Sequence, residues 1–126
     1  MIQLEAALAA AALCAAVYAG TRLWSSRASA LALAGGEAGQ PAGRPYVLYF
    51  SGPHCTICRT HQEPALKALG DVLVRKVDAL EERELADRYH VYTLPTTVVV
   101  AADGRPLHVN YGYAPARKLQ EQLASA

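Results

Sequence analysis

This chain of 126 residues has few cysteines, few charged residues and almost no net charge. Three cysteines are too few for a small scaffold held together by disulfides. Twelve basic and eleven acidic residues give a formal charge of +1, so the basic excess of a typical nucleic-acid binder is missing. Hydrophobic residues make up 52% of the chain and charged residues 18%, which excludes an intrinsically disordered protein.

The charged residues are also unevenly distributed. Residues 1–43 contain 15 alanines and four charged side chains, whereas residues 44–126 hold the other 19 charges, all four histidines and two of the three cysteines. We therefore divide the chain into an apolar segment over residues 1–24, a flexible Ala/Gly/Ser linker over residues 25–43 and one folded domain over residues 44–126.

An apolar run opens the chain. From Ala6 to Trp24 it is interrupted only by Arg22, and its length of about 19 residues is close to the ~20 that cross a bilayer. We therefore predict that residues 1–24 form one transmembrane helix that makes this a single-pass membrane protein. Arg22 and Arg27 follow the run and no basic residue precedes it, so the positive-inside rule favours a cytoplasmic position for the folded domain.

Two other interpretations of this segment stay open. A cleaved signal peptide needs a positive stretch before the apolar run, and Glu5 is the only charged side chain there, although residues 17–19 are an acceptable cleavage site. A soluble alanine-rich helix is the other interpretation, because alanine contributes little to membrane insertion. Cys14 lies within the run and is expected to be a small hydrophobic side chain there.

The pattern of residues 44–126 predicts the element order β-α-β-α-β-β-α. The predicted strands cover residues 46–50, 72–78, 96–101 and 106–111, and the helices run from the Cys55–Cys58 segment to Gly70, over 81–90, and from Pro115 to Ala124. A helical crossover between the first two strands implies a parallel pair, and Asp103-Gly104 predicts an antiparallel hairpin. The expected architecture is an α/β domain with a four-stranded mixed sheet and helices on both faces.

Cys55 and Cys58 stand directly after the first predicted strand, at the start of a helix. Residues three apart on a helical turn are neighbours, so their sulfurs can close a small disulfide. The N–H groups at the start of the helix favour a thiolate on Cys55, while Cys58 lies one turn further and is expected to be more buried. Cys55 is therefore the predicted nucleophile, and Cys58 the residue that resolves the mixed disulfide.

Together these features resemble the thioredoxin superfamily over residues 44–126. The matching segments are the strand YVLYF, the motif Cys55-Thr56-Ile57-Cys58, Leu94-Pro95-Thr96 ahead of the third strand, and Gly112 after the hairpin. The resemblance implies a thioredoxin-like fold with a cis bond before Pro95, beside the active-site sulfurs. It also implies that Leu94, with Pro95 and Thr96, binds the backbone of the substrate.

The resemblance further indicates which partners to expect. They are protein thiols or disulfides, together with a reductase or another thiol electron donor. No cofactor is implied, because the dithiol is the redox group. We expect a monomer that binds no nucleic acid and is held at the membrane by its N-terminal helix.

The sequence departs from the usual family pattern at several positions. His54, Thr56 and Ile57 surround the cysteines in place of the usual residues, and we expect them to tune the reactivity of the pair. Tyr49 occupies the position of a buried acid that assists proton transfer. Pro64 lies one residue further from the motif than the usual helix proline, and we expect it to kink the helix. The first strand and helix of a full thioredoxin have no counterpart here.

The leading hypothesis is a membrane-tethered thiol–disulfide oxidoreductase, and two alternatives stay open beside it. A copper metallochaperone or cytochrome-assembly factor would use the same dithiol. His54 and His61 offer two further ligands to such a site, but gathering all four around one ion would distort the start of the helix, so we assign no metal site. The other alternative is a binding module that keeps the thioredoxin fold without catalysis.

Overall fold

The computed structural model describes residues 1–35 and 42–126, with side chains described for residues 1–27 and 42–126. In chain order the elements are α1 (Ile2–Gly35), β1 (Tyr46–Ser51), a π-helical turn (Cys58–Gln62), α2 (Glu63–Lys67), β2 (Leu73–Asp78), α3 (Arg83–Arg88), β3 (Thr96–Val100), β4 (Pro106–Tyr111) and α4 (Ala116–Ala124). The predicted order of strands and helices behind one long N-terminal helix is confirmed. The four strands agree with the predicted ranges to within one residue at each end.

The strands form one mixed sheet in the order β2-β1-β3-β4. β1 and β2 are parallel, as their helical crossover requires, whereas β3 is antiparallel to both β1 and β4. Every residue of β1 and β3 is buried, while β2 and β4 are half-buried edges. Burial on both faces explains why β1 is a continuous apolar run and not an alternating one.

Helices cover both faces of the sheet, as predicted. On one face Ala86 of α3 packs with Tyr89 against alternate residues of β1 and β3. On the other face Leu66 of α2 and Leu119 of α4 pack against the intervening strand residues, and Cys58 belongs to this second cluster. The dithiol therefore sits on the face that α2 and α4 cover.

The sequence predicts a kink of the helix at Pro64, and the structure has a π-helical turn directly before this residue. The N–H of Glu63 donates to the carbonyl of Cys58, which is an i→i+5 hydrogen bond. Such a turn holds one residue more than an α-helical turn, and this accounts for the extra residue between Cys58 and Pro64. Pro64 thereby falls in the first turn of α2, and the π-helical turn before it accommodates the missing N–H within the continuous helical segment.

The helix predicted over residues 81–90 is shorter in the structure. The Asp78 carboxylate accepts hydrogen bonds from the N–H groups of Leu80 (2.8 Å) and Glu81 (3.2 Å), which holds these residues in a turn ahead of α3. His90 adopts a φ of 53°, and this left-handed conformation ends the helical segment.

The division of the N-terminal region into residues 1–24 and a flexible linker from 25 to 43 needs correction. α1 continues to Gly35, so residues 25–35 are helical. Alanine, leucine and arginine favour a helix here, and the first strong helix breakers are Gly35 and Gly36. The remaining linker residues 36–41 lie outside the described residues. Gly43 is already bound to the domain, through a 3.2 Å hydrogen bond from its N–H to the carbonyl of Ala102.

Most of α1 stands clear of the folded domain. Within residues 1–27 only Ser25 is partly buried. The segment Ile2–Arg27 is long and apolar enough to cross a membrane. Its apolar side chains are spread around the whole helix, as in membrane spans and unlike amphipathic surface helices. α1 is thus a candidate membrane anchor, and the cytoplasmic position of the domain stays a prediction.

Candidate active site

The loop after β1 carries the two cysteines. The N–H of Cys55 donates to the carbonyl of Gly52 (3.3 Å), which closes a turn, and the helical segment begins at Thr56. Cys55 and Cys58 form a disulfide, with their Cα atoms 5.3 Å apart. The two sulfurs predicted to bond are therefore bonded, and the structure holds the oxidised form of the pair.

The two sulfurs differ in access and in hydrogen bonding. Cys55 is partly buried, whereas the side chain of Cys58 is only 1% exposed. The N–H of Cys58 points at Sγ of Cys55 at 3.2 Å. An N–H donor at this place favours negative charge on the Cys55 sulfur when the pair is reduced. Cys55 is therefore the more accessible of the two sulfurs from solvent.

The segment Leu94-Pro95 forms a second loop of the site. The peptide bond between these residues is cis, as the resemblance implied. The carbonyl of Pro95 accepts a hydrogen bond from the N–H of Gly112 (2.8 Å), and the hydroxyl of Thr96 donates to the carbonyl of Thr93 (2.8 Å). Leu94 packs against the cluster that contains Cys58. The structure therefore brings this loop beside the dithiol.

A glycine allows the two loops to approach each other. A Cβ atom on Gly52 would lie 2.9 Å from Cδ1 of Leu94, closer than carbon atoms tolerate. Gly52 also provides the carbonyl that closes the turn ahead of Cys55. The absence of a side chain at Gly52 is therefore what lets Leu94 pack against the dithiol loop.

The other residues predicted at the site differ in exposure. Thr96 is fully buried, with its hydroxyl bound to Thr93, so neither its side chain nor its backbone is exposed at the surface. His54 and Thr56 are exposed beside Cys55, and Ile57 is an exposed apolar side chain between the cysteines. The structure places all three tuning candidates next to the sulfurs, and their effect on reactivity stays a prediction.

The histidine considered as a further metal ligand has other contacts. Nδ1 of His61 lies 2.8 Å from the hydroxyl of Thr60, and its ring meets the ring of Tyr113 edge-on at 5.8 Å between centroids. Among residues 1–35 and 42–126, no three or more His, Cys, Asp or Glu side chains form a group that could hold a metal ion. The four potential ligands of the H-C-x-x-C-x-x-H segment are therefore not gathered around one point.

A buried phenol lies at the position where the family has an acid. Burial, followed by the nearby Glu63 carboxylate, raises the pKa of Tyr49 to about 12. Its hydroxyl donates to Oε2 of Glu63 (3.2 Å), and Lys76 Nζ lies 3.4 Å from Oε1 of the same carboxylate. Tyr49 is thus protonated throughout the physiological pH range and does not accept a proton from a cysteine.

Gln62 was not among the residues predicted at the site. Gln62 is fully buried at the end of the π-helical turn. Its Nε2 donates to the carbonyl of Ala114 (3.0 Å), and its Oε1 accepts from the N–H of Ala114 (2.9 Å). The spacing of four from Cys58 was the available signal, since it places a polar side chain on the core-facing side of the helix.

These two hydrogen bonds connect the parts of the site. Gln62 follows Cys58 in the π-helical turn, and Ala114 follows Gly112 in the segment after β4. Gly112 is in turn bound to the carbonyl of Pro95. The turn that carries Cys58 and the cis-proline loop are thereby held against the same short segment.

Comparison with known proteins identifies relatives of this chain. Residues 37–126 match the family model described as a thioredoxin-like domain. Thioredoxin Y of rice (Oryza sativa subsp. japonica), a chloroplast protein, is 32% identical over 88 residues, which are 66% of this chain and 51% of the relative. This chain therefore spans about half the length of that curated relative.

Solved structures show the same similarity. The thioredoxin of Fasciola hepatica is 32% identical, with a TM-score of 0.57 over 66% of this chain and 81% of the other. A thioredoxin variant from Halobacterium salinarum is 27% identical, with a TM-score of 0.61 over 68% and 76% of the two chains. Thioredoxin-2 of the malaria parasite has the same TM-score of 0.61 at 20% identity, over 71% and 95%, and there the likeness concerns the fold alone.

Proposed function

Because the chain belongs to the family of thioredoxin-like domains, we propose that it is a thiol–disulfide oxidoreductase that exchanges electrons with protein disulfides. The observation that carries the proposal is the unequal pair of sulfurs, a partly exposed Cys55 bonded to a buried Cys58. A redox role follows from the fold, the disulfide and the relatives together. What we propose beyond this redox role is that the substrates are protein disulfides and that electrons flow to them from the dithiol.

In the reducing direction the reaction begins with the dithiol. The Cys55 thiolate attacks one sulfur of a substrate disulfide, so a bond from Cys55 to that sulfur forms, the substrate disulfide breaks, and its other sulfur leaves as a thiolate that takes up a proton. Cys58 then loses its proton to water and attacks the Cys55 sulfur. This releases the second substrate thiolate and forms the disulfide of the present structure. Two electrons pass to the substrate, and a dithiol donor must restore them.

The second loop is proposed to hold the substrate chain. Leu94 would pair with the substrate backbone beside Cys55, with Pro95 fixing the direction of the loop. Thr96 would support this loop from within, because the residue is fully buried and its hydroxyl is bound to the carbonyl of Thr93. The support for this assignment is the packing of Leu94 against both the dithiol cluster and Gly52.

We also propose that α1 anchors the protein in a membrane, with the folded domain on the cytoplasmic side. Within the apolar segment Ile2–Arg27 only Ser25 is partly buried, whereas an alanine-rich helix of a soluble protein would be expected to pack its apolar surface on the domain. Arg22 lies over the ring of Tyr18, 5.7 Å from its centroid, and such a pair suits the headgroup region. Flotation of the full chain with vesicles tests this, and recovery at the bottom of the gradient would contradict it.

A disulfide reduction assay tests the proposed chemistry. The full chain in detergent micelles, supplied with dithiothreitol as donor, should accelerate reduction of insulin, because the paired sulfurs relay electrons. Cys55→Ser should abolish this activity. Cys58→Ser should accumulate a mixed disulfide with the substrate, visible by mass spectrometry. Wild-type activity no higher than that of Cys55→Ser would contradict the proposal.

The reduction potential of the pair determines the direction of electron flow. A value near the −270 mV of thioredoxin would indicate a reductant, and one near about −120 mV an oxidant. Equilibration of the full chain with glutathione or dithiothreitol buffers gives this value directly.

A further inference from the structure

A groove lies between α1 and the folded domain, next to the cis-proline loop. Its lining is mostly apolar and comes from three segments: the end of the apolar run, the loop that follows α3, and the last residue of β4. The lining residues are Trp24 and Ser25, then His90, Tyr92 and Thr93, then Tyr111.

The wall formed by the domain is well fixed. The hydroxyl of Tyr111 donates to the carbonyl of Tyr89 (2.8 Å), which ties the end of β4 to the loop after α3. The carbonyl of Thr93 is held by the hydroxyl of Thr96 (2.8 Å). Because Thr93 directly precedes Leu94, the groove is continuous with the loop that we propose to hold the substrate backbone.

The other wall is formed by α1 just where the candidate membrane span ends. Trp24 is exposed and Ser25 is the first residue of α1 that the domain partly covers. Trp24 and Arg22 are residue types that concentrate at the membrane interface. One helical residue advances about 1.5 Å, so in the anchored protein the groove lies within a few ångströms of the headgroups.

We propose that the natural substrate is a disulfide or a cysteine pair of another membrane protein, located within the first few residues outside its transmembrane span. In this arrangement the groove takes an apolar or aromatic side chain that flanks the substrate cysteine. The inference rests on the proposed function and on α1 as the anchor. The proposed substrate class follows from these two features, a redox-active dithiol and a membrane anchor.

The chemistry of the groove supports this occupant. The rings of Trp24, Tyr92 and Tyr111 offer apolar faces, and aromatic side chains bind apolar groups over a large area at small conformational cost. The short distance from the span to the groove leaves little room for a large soluble domain between the site and the bilayer. A polypeptide that leaves the membrane beside α1 would reach Leu94 at once.

Single-turnover reduction of designed peptides tests the proposal. Two single-span peptides carry the same disulfide-closed loop, one directly after the span and the other beyond a twenty-residue polar spacer. A third peptide carries the loop without a span. Each is mixed with the reduced full chain in phosphatidylcholine vesicles and, separately, in detergent. We expect the proximal loop to be reduced at least about 10-fold faster than the distal one in vesicles, because its short link to the span holds the side chain that flanks the cysteine at the groove, whereas the spacer lets the equally anchored distal loop reach Cys55 without entering the groove.

Matched variants separate the groove from anchoring alone. Trp24→Ala removes one wall of the groove, whereas Leu23→Ala removes an apolar side chain of the neighbouring position that does not line it. The preference for the proximal loop should fall by most of its value in Trp24→Ala and persist in Leu23→Ala. Equal rates for both loops, a faster distal loop, or a preference unchanged in Trp24→Ala would each overturn the inference.

The peptide without a span distinguishes this failure from that of the proposed function. If it is reduced while the spanning peptides show no preference, the oxidoreductase stands and the substrate class is wrong. If none of the three peptides is reduced, the proposed function fails and the inference falls with it.

Trp24 also provides a direct probe of the groove, because it is the only tryptophan of the chain. In a Cys14→Ala, Cys58→Ser chain the proximal peptide is trapped on Cys55. A nitroxide amino acid flanking the peptide cysteine should then quench Trp24 fluorescence, and the same label ten residues further along should not. Equal quenching by the two labels would show that the groove does not receive this part of the substrate.

Discussion

Gln62 allows a quantitative test of how the site is held together. Gln62→Leu keeps the approximate volume of the side chain but removes both partners of Ala114, whose N–H and carbonyl are fully buried with it. A buried polar group left without a partner costs about 1–3 kcal/mol. Two such groups predict a loss of about 2–6 kcal/mol in the free energy of unfolding, a large part of the ~5–15 kcal/mol that stabilises a typical domain.

The measurement is urea unfolding of the oxidised full chain in a mild detergent. Near-ultraviolet circular dichroism of the buried tyrosines reports on the folded domain and not on α1. Gln122→Leu is the matched control, because Gln122 also exchanges two hydrogen bonds, both of 2.8 Å, with the side chain of Asn110. Gln122 is only partly buried, and Asn110 keeps its hydrogen bond to the hydroxyl of Thr97 (3.2 Å), so this substitution should cost less, about 1 kcal/mol.

Two further observations would decide the reasoning. Gln62→Glu should recover stability on acidification, because a protonated carboxyl can both donate to and accept from Ala114, whereas the carboxylate cannot donate. The stabilisation is present at low pH and is lost as the pH rises and the new carboxyl ionises. The argument would be refuted if Gln62→Leu cost no more than Gln122→Leu, or if Gln62→Glu were equally stable at pH 4 and pH 8.

Three other substitutions have definite expected outcomes. Gly52→Ala should shift the end of the Leu94 side chain, which is flexible and yields at a cost of about 1 kcal/mol or less, and should raise the KM for a protein disulfide more than it lowers kcat. An unchanged KM would contradict the contact. Since the folded-state pKa of Tyr49 is raised to about 12, its phenol contributes stability that is complete below its unfolded pKa near 10 and is lost as the pH rises toward 12. Tyr49→Phe should therefore lose less stability over that range in unfolding experiments and should leave the pH dependence of insulin reduction between pH 6 and 9 unchanged. Asp78→Ala removes two hydrogen bonds ahead of α3 and should lower the free energy of unfolding by about 1–2 kcal/mol, with an exposed change such as Glu121→Ala as the neutral control.

The fold could be predicted because its local signals agree with each other. β1 is a buried apolar run between Pro45 and Gly52, and the Asp103-Gly104 turn fixes the register of the last two strands. Two cysteines at a spacing of three, placed between a strand and a helix, restrict the chemistry further. Each of these features depends on residues that are near one another in the chain.

What could not be predicted depends on distant residues or on competing local preferences. Gln62 and Ala114 are 52 positions apart, and no residue near Gln62 indicates that its side-chain amide binds both the N–H and the carbonyl of Ala114. The length of α1 was underestimated because the glycines that follow Gly35 suggested a linker that began too early. The π-helical turn was expected only as a kink, since the extra residue ahead of Pro64 shows its effect through hydrogen bonds.

Among residues 1–35 and 42–126 no strand precedes β1, so the first strand of a full thioredoxin has no counterpart there, and the composition of β2 fits that difference. In the described part of the chain β2 pairs only with β1, so its other side is an edge of the sheet. Arg75 and Lys76 lie on opposite faces of this strand, one over the ring of Tyr46 at 4.8 Å and the other 3.4 Å from Glu63. Basic side chains on an edge strand oppose pairing with another chain, because a second copy would bring like charges together. The charge on β2 thereby protects this edge of the sheet from pairing, as a covering strand would. The central strand β1, which positions Cys55, still has a neighbouring strand on each side.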